Sequence, residues 1–112
     1  MRLCAEGHSV TGVDIMEQEL GEFADIVQAD ISEPEECLRV LSLLPDVDIL
    51  VNSAGVGEQT PFLKQTPEEF ERIVAVNLTG GYRCIKAVSA VMTGAGYGRI
   101  VNIASVAGLQ GV

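Results

Sequence analysis

Tryptophan is absent from this sequence, aromatics make up only 4% of it, and 7 basic residues face 16 acids, for a formal net charge of −9. Lysine and arginine nowhere cluster, which excludes a nucleic-acid partner, because neutralising phosphates takes grouped cations. No run approaches the 18 or so apolar residues of a membrane span, and residues 1–3 lead into no apolar stretch of the kind a signal peptide needs. A membrane is therefore not expected as a partner, and the protein reads as cytoplasmic. Cysteine is scarce as well: Cys4, Cys37 and Cys84 are an odd number at wide spacing, without the C-x-x-C of a zinc or thioredoxin-like site. They read as reduced, packed thiols, with no metal. Length is the last shortage. A chain of 112 residues buries about two thirds of its unfolded surface, enough for one core but not for a second, substrate-binding domain. Residues 1–112 read as a single partial domain.

What is present is alternation. Residues 9–14 (SVTGVD), 25–29 (DIVQA), 47–52 (VDILVN) and 99–104 (RIVNIA) are rich in Val and Ile. The last two are nearly continuously apolar, as strands covered on both faces are. Between the second and third runs, Ser32 and Glu35 can form a capping box ahead of Cys37, Leu38, Leu41 and Leu44, predicting a helix over 33–44. Thr66-Pro67-Glu68-Glu69 carries the same signature with proline at the first helical position, and apolar residues at helical spacing extend that helix over 67–92. Alternating strands and helices predict an α/β fold with right-handed crossovers and a parallel sheet, whose strand C-termini build the ligand site. Charge is segregated too. Residues 14–48 hold 11 of the 16 acids against one base, Arg39, while residues 72–112 hold four bases and no acid, which suggests two faces of one domain rather than two domains.

Polar residues punctuate the strand ends: Asp14, Asp30, the run Asn52-Ser53-Ala54-Gly55, and Ser105. Singly, each is ordinary loop chemistry. Together with V-N-L-T-G at 76–80 and G-R-I-V-N-I-A-S-V-A-G at 98–108, they resemble the short-chain dehydrogenases/reductases, whose N-N-A-G signature N-S-A-G at 52–55 matches with one change. The resemblance implies a Rossmann-type doubly wound parallel sheet and hydride transfer between a nicotinamide dinucleotide and a small alcohol or ketone. By the same resemblance Ser105 and Asn77 are the catalytic candidates: the serine hydrogen-bonds the substrate oxygen, and the asparagine holds a water in a proton relay. The cofactor-binding candidates are Asp14, Asp30, Ile31, Asn52, Ala54 and Gly55. A carboxylate at position 14 accepts both ribose hydroxyls of an adenosine and repels a 2′-phosphate, so NAD is expected over NADP. No Lys or Arg between Arg2 and Arg39 would offset that repulsion. Asp30 and the Ile31 N–H would meet the adenine edge, and Gly55 would let backbone approach the cofactor. Ser53 reads as a turn residue.

Two departures qualify the match. No G-x-G-x-x-G or G-x-x-x-G-x-G lies between a strand and a helix, and no Y-x-x-x-K follows Ser105. Residues 94–98 are glycine-rich but precede a strand, so they read as a helix-to-strand turn. Tyr82 and Lys86 do have the Y-x-x-x-K spacing, but in the wrong order relative to Ser105, and read as a packing tyrosine beside a solvated lysine. Residues 1–8 resemble a helix end, with His8 as a turn residue after Gly7. The expectation is an internal fragment whose sheet order is 3-2-(missing 1)-4-5, from a parent that forms a homo-oligomer through helix 67–92. The competing reading is a noncatalytic dinucleotide-fold module that binds another protein through that helix.

Overall fold

The computed structural model describes residues 2–16, 25–57 and 59–110; the acids at 17, 19 and 22 lie outside them. In chain order the elements are α1 (Arg2–Ala5), β1 (Thr11–Asp14), β2 (Asp25–Gln28), α2 (Pro34–Ser42), β3 (Ile49–Asn52), a 3₁₀ turn (Phe62–Lys64), α3 (Pro67–Val74), a π-helical turn (Ala75–Gly80), α4 (Gly81–Ala95), β4 (Arg99–Asn102) and α5 (Ala107–Gln110). Short β-branched runs make the strands, and the expected polar residues close them: β1 ends at Asp14 and β3 at Asn52. Gly7, at φ +90°, turns the chain out of α1, as the helix-end reading of His8 requires.

All pairing is parallel. Thr11 opposes Asp25 and Asp14 opposes Gln28 in one two-stranded sheet; Ile49 opposes Arg99 and Asn52 opposes Asn102 in another. Among the described residues no ladder joins the two sheets. This is part of a Rossmann-type sheet, interrupted where the expected strand order places a central strand.

Thr66 caps α3 as its sequence signature predicts: its Oγ1 accepts from the Glu69 N–H at 3.2 Å while Glu69 Oε2 accepts from the Thr66 N–H at 2.8 Å. Helix α2 differs from expectation. Its N-cap is Glu33, with no side-chain cap, and Ser32 instead donates its hydroxyl to Asp30 Oδ1 at 2.6 Å. Pro34 is the cause. The residue before a proline is pushed out of the α region, Glu33 accordingly sits at φ −94°, ψ 121°, and the helix begins one residue later than a cap at Ser32 would allow. The second predicted helix extends three residues beyond 92, to Ala95, and contains a π turn that apolar spacing did not announce. Its end is built by Gly96 at φ +67°, with the Tyr97 N–H bonding the Met92 carbonyl at 3.1 Å.

The buried apolar residues are Ala29, Cys37, Val40, Val88 and Met92, gathered where α2 packs on α4 and α4 on β3. Strands β3 and β4 are not covered on both faces as their composition suggested. Ile49, Val51, Val101 and Ile103 are 38–61% exposed: α4 packs on one face of β3, and all four residues of β4 are exposed. The accessible surface is 8461 Å², against about 6,000 Å² for a compact monomer of this mass. Among the described residues none of the three cysteines is in a disulfide. Cys37 is buried and donates to the Ile31 carbonyl at 3.3 Å, and burial beside Cys37 pushes the Cys84 thiol up to about 12.

Gly98 closes against this core. A Cβ built there would lie 2.5–2.7 Å from the side chain of Met92, including its Cβ, which has no freedom to withdraw. Gly98→Ala is expected to cost about 1–3 kcal/mol through overpacking, read as a lower urea midpoint in the protein expressed from its complete reading frame. An unchanged midpoint would show that the turn between α4 and β4 yields.

Candidate functional site

Three strand ends converge on one cleft of about 320 Å³. Asp14 and Ile15 leave β1, residues 29–32 follow β2, and residues 53–56 follow β3; Arg72 and Val76 complete the lining from the helical run. Parallel strands place their C-termini on one edge, so the cleft lies where such folds put ligands.

Each carboxylate at its edge is held by its own backbone. Asp14 Oδ1 accepts from the Met16 N–H at 2.9 Å. Asp30 Oδ1 accepts from both the N–H and the hydroxyl of Ser32, at 2.9 and 2.6 Å, an arrangement that fixes the carboxylate and leaves Oδ2 without a side-chain donor among the described residues. The Ile31 N–H likewise meets no acceptor among them. A fixed carboxylate oxygen and a free N–H on consecutive residues can accept from and donate to one flat heterocyclic edge.

Of the expected cofactor-binding residues, Asp14, Asp30, Ile31, Ala54 and Gly55 line the cleft. The Asn52 side chain does not: its Nδ2 donates to Asn102 Oδ1 across the strands at 2.9 Å, beside Gly81 of α4. One residue later the alternation of the chain turns Ser53 into the lining, a role its turn-like context did not announce. Gly55 has room to spare, since a Cβ there would make an ordinary 3.5 Å contact with Asn77 Oδ1, so the surrounding protein does not demand glycine.

Asn77 sits in the π turn. Its Oδ1 accepts from the Val56 N–H at 2.7 Å and its Nδ2 donates to the Val56 carbonyl at 2.8 Å. The side-chain amide thereby grips the loop after β3 in both directions. This answers the cost of an amide in an apolar helical stretch, and it uses one of the two acceptor sites and one of the two donors of the amide, leaving the other pair for a water. Ser105, outside the cleft lining, is exposed beyond β4, where its hydroxyl oxygen accepts from the Ala107 N–H at 3.2 Å and the hydroxyl proton remains available. Tyr82 is 58% exposed rather than packed, with the Lys86 ammonium 6.0 Å from its ring centroid. Neither lines the cleft.

Sequence reasoning missed Arg72. The search for a cation near position 14 covered the neighbouring residues, whereas Arg72 reaches the lining from α3, far along the chain. Nothing in local sequence marks it.

The sequence profile described as short chain dehydrogenase matches residues 2–112. A 3-oxoacyl-[acyl-carrier-protein] reductase of Synechocystis sp. is 36% identical over 110 residues, covering 92% of this chain and 44% of its own length. An acetoacetyl-CoA reductase of Rhizobium meliloti is 38% identical over 99 residues, covering 85% and 40%. Among solved structures, 4-hydroxyisoleucine dehydrogenase complexed with NADH superposes with a TM-score of 0.91 at 30% identity, over 99% of this chain and 51% of that one. The closed form of serine dehydrogenase complexed with NADP+ gives 0.87 at 30% identity, over 99% and 50%. The chain thus spans about half the length of these proteins. The motifs at 52–55, 76–80 and 98–108, the parallel strands that end at the cleft, and a profile match over all but the first residue agree, and the chain belongs to the short-chain dehydrogenase/reductase family.

Proposed function

We propose that these residues supply the adenosine-binding side of an oxidoreductase that transfers hydride between a nicotinamide dinucleotide and a small alcohol or ketone, and that the dinucleotide is NAD. The observation that carries the reading is the cleft itself, where Asp14 and the Asp30–Ile31 pair stand at adjacent strand ends. The residues present fit the adenosine half of such a cofactor. Asp30 Oδ2 would accept from the exocyclic amine of adenine while the Ile31 N–H donates to the ring nitrogen beside it; Asp14 would take the ribose hydroxyls. When bound, the dinucleotide supplies the hydride chemistry. Ser105 would donate its hydroxyl to the substrate oxygen, stabilising charge as it develops there. The relatives are, by name, reductases of 3-oxoacyl-[acyl-carrier-protein] and acetoacetyl-CoA and dehydrogenases of serine and 4-hydroxyisoleucine, and support a carbonyl or alcohol substrate class.

Cofactor choice rests on charge. A 2′-phosphate a few ångströms from Asp14 meets a repulsion of about 1 kcal/mol in water-like surroundings and about 4 near a protein surface. Arg72, on the cleft wall, acts in the opposite sense, which makes Asp14 the residue to test. In the protein expressed from its complete reading frame, Asp14→Ala is expected to raise the Kd for NAD about tenfold and to lower that for NADP by a similar factor, measured by calorimetry. An unchanged ratio would assign the preference to another group. The exposed Phe70, Leu78 and Tyr82 along the helical run support the further reading that a second copy covers that face in the whole protein.

A further inference from the structure

The two walls of the cleft belong to different sheets. Residues 29–32 follow β2 and residues 53–56 follow β3, and among the described residues no ladder joins β1–β2 to β3–β4. Whatever a strand in the interruption contributes to the spacing of the walls, the described residues add a second tie between them. The helical run from Pro67 to Ala95 touches both. On one side Asn77 grips Val56 by its N–H and carbonyl. On the other, Arg83 Nη1 donates to the Ser32 carbonyl at 2.7 Å, a part-buried contact between residues 51 apart in sequence. Between these two grips, Gly80 is buried against Ile31: a Cβ at position 80 would lie 2.9 Å from Ile31 Cδ1, 3.1 Å from its Cγ1 and 3.1 Å from the Ala75 carbonyl oxygen. Helix α2 adds the Cys37 hydrogen bond to the Ile31 carbonyl.

We propose that Arg83 and Gly80 are positioning residues for the dinucleotide: from a single helix, in concert with Asn77, they fix the wall at 30–32 relative to the wall at 53–56 and so set the width of the adenosine cleft. The inference rests on the reading of that cleft given above. Arg83 acts through the Ser32 carbonyl and touches no ligand. Its charge-assisted hydrogen bond is roughly twice as strong as a neutral one. Gly80 acts by absence, because a Cβ there presses on the Ile31 side chain and the Ala75 carbonyl oxygen, and Ile31 is part of the cleft lining.

The test uses the protein expressed from its complete reading frame, with three probes: NAD, 5′-AMP for the adenosine half, and nicotinamide mononucleotide for the other. Arg83→Met keeps the apolar stem and removes the donor. It is expected to raise the Kd for 5′-AMP and the KM for NAD about tenfold, leaving the Kd for nicotinamide mononucleotide and kcat at saturating NAD within about twofold. Because one nitrogen makes the contact, Arg83→Lys is expected to restore most of the loss. Gly80→Ala is expected to weaken 5′-AMP severalfold in the same selective way. Equal loss of both half-cofactor probes would mean general destabilisation and overturn the proposal, as would unchanged 5′-AMP affinity in Arg83→Met. Failure of the unsubstituted protein to bind 5′-AMP would overturn the adenosine reading itself, so the two failures are told apart by which protein shows them.

Discussion

In a urea titration followed by far-ultraviolet circular dichroism, the 112-residue polypeptide is expected to lose its signal gradually, with a slope below about 1 kcal/mol/M, and to sediment as concentration-dependent aggregates. A cooperative domain of this length gives about 1–3 kcal/mol/M. The reason for the shortfall is exposure. Among the described residues five apolar ones are buried and the sheets are two-stranded, and a two-stranded unit is marginal in water. The accessible surface exceeds that of a compact protein of the same mass by roughly two fifths. Among the described residues no ladder joins the two sheets; an edge N–H or carbonyl buried without a partner costs about 1–3 kcal/mol, and an open edge offers a template for another chain. A total stability of about 5–15 kcal/mol cannot absorb several such losses. A sharp, reversible transition of a monomer would mean that the two sheets close on each other in solution.

The same polypeptide is expected to show no NAD-dependent oxidation or reduction over a panel of alcohols and ketones. Beyond Ser105 the sequence contains neither tyrosine nor lysine, and the earlier Tyr82 and Lys86 lie outside the cleft lining. A positioned acid or base contributes about 10²–10⁴ in rate. Nor does the sequence contain the G-x-G-x-x-G or G-x-x-x-G-x-G pattern that would hold the pyrophosphate, and loss of reactant positioning costs at least as much again. The decisive contrary result would be turnover that Ser105→Ala abolishes, which would prove that these residues already assemble a working site.

Much of this was legible in the sequence where local rules act alone. Runs of Val and Ile ended at Asp14 and Asn52 as strands do, and Thr66 through Glu69 announced a cap that needs nothing beyond four consecutive residues. The readings that failed turned on competition or distance. Ser32 had two partners to choose from, and Pro34 decided between them by forcing Glu33 into an extended conformation. Asn52 and Ser53 are both polar at a strand end, and only the pairing of β3 with β4 shows which of them turns toward the cleft. Arg72 is brought to the lining by a crossover, which composition does not encode. The π turn was hidden because apolar residues continue at helical spacing through it, and Asn77, Gly80 and Gly81 disturb the stretch without marking where the winding widens.

That turn also governs how insertions and deletions would be tolerated. A π turn is one surplus residue accommodated inside an α-helix. Removing one residue from Ala75–Gly80 would restore regular winding and leave everything downstream in phase, so Val88 and Met92 would still enter the core and Arg83 would still reach Ser32. The regular winding of α4 holds no surplus to give up. A deletion between Gly81 and Val88 would rotate whatever follows by about 100° about the helix axis and swing Val88 and Met92 out of the core. Length is therefore constrained more tightly in α4 than in the six residues before it, where a gap of a single codon costs the local bulge and not the phase of the helix.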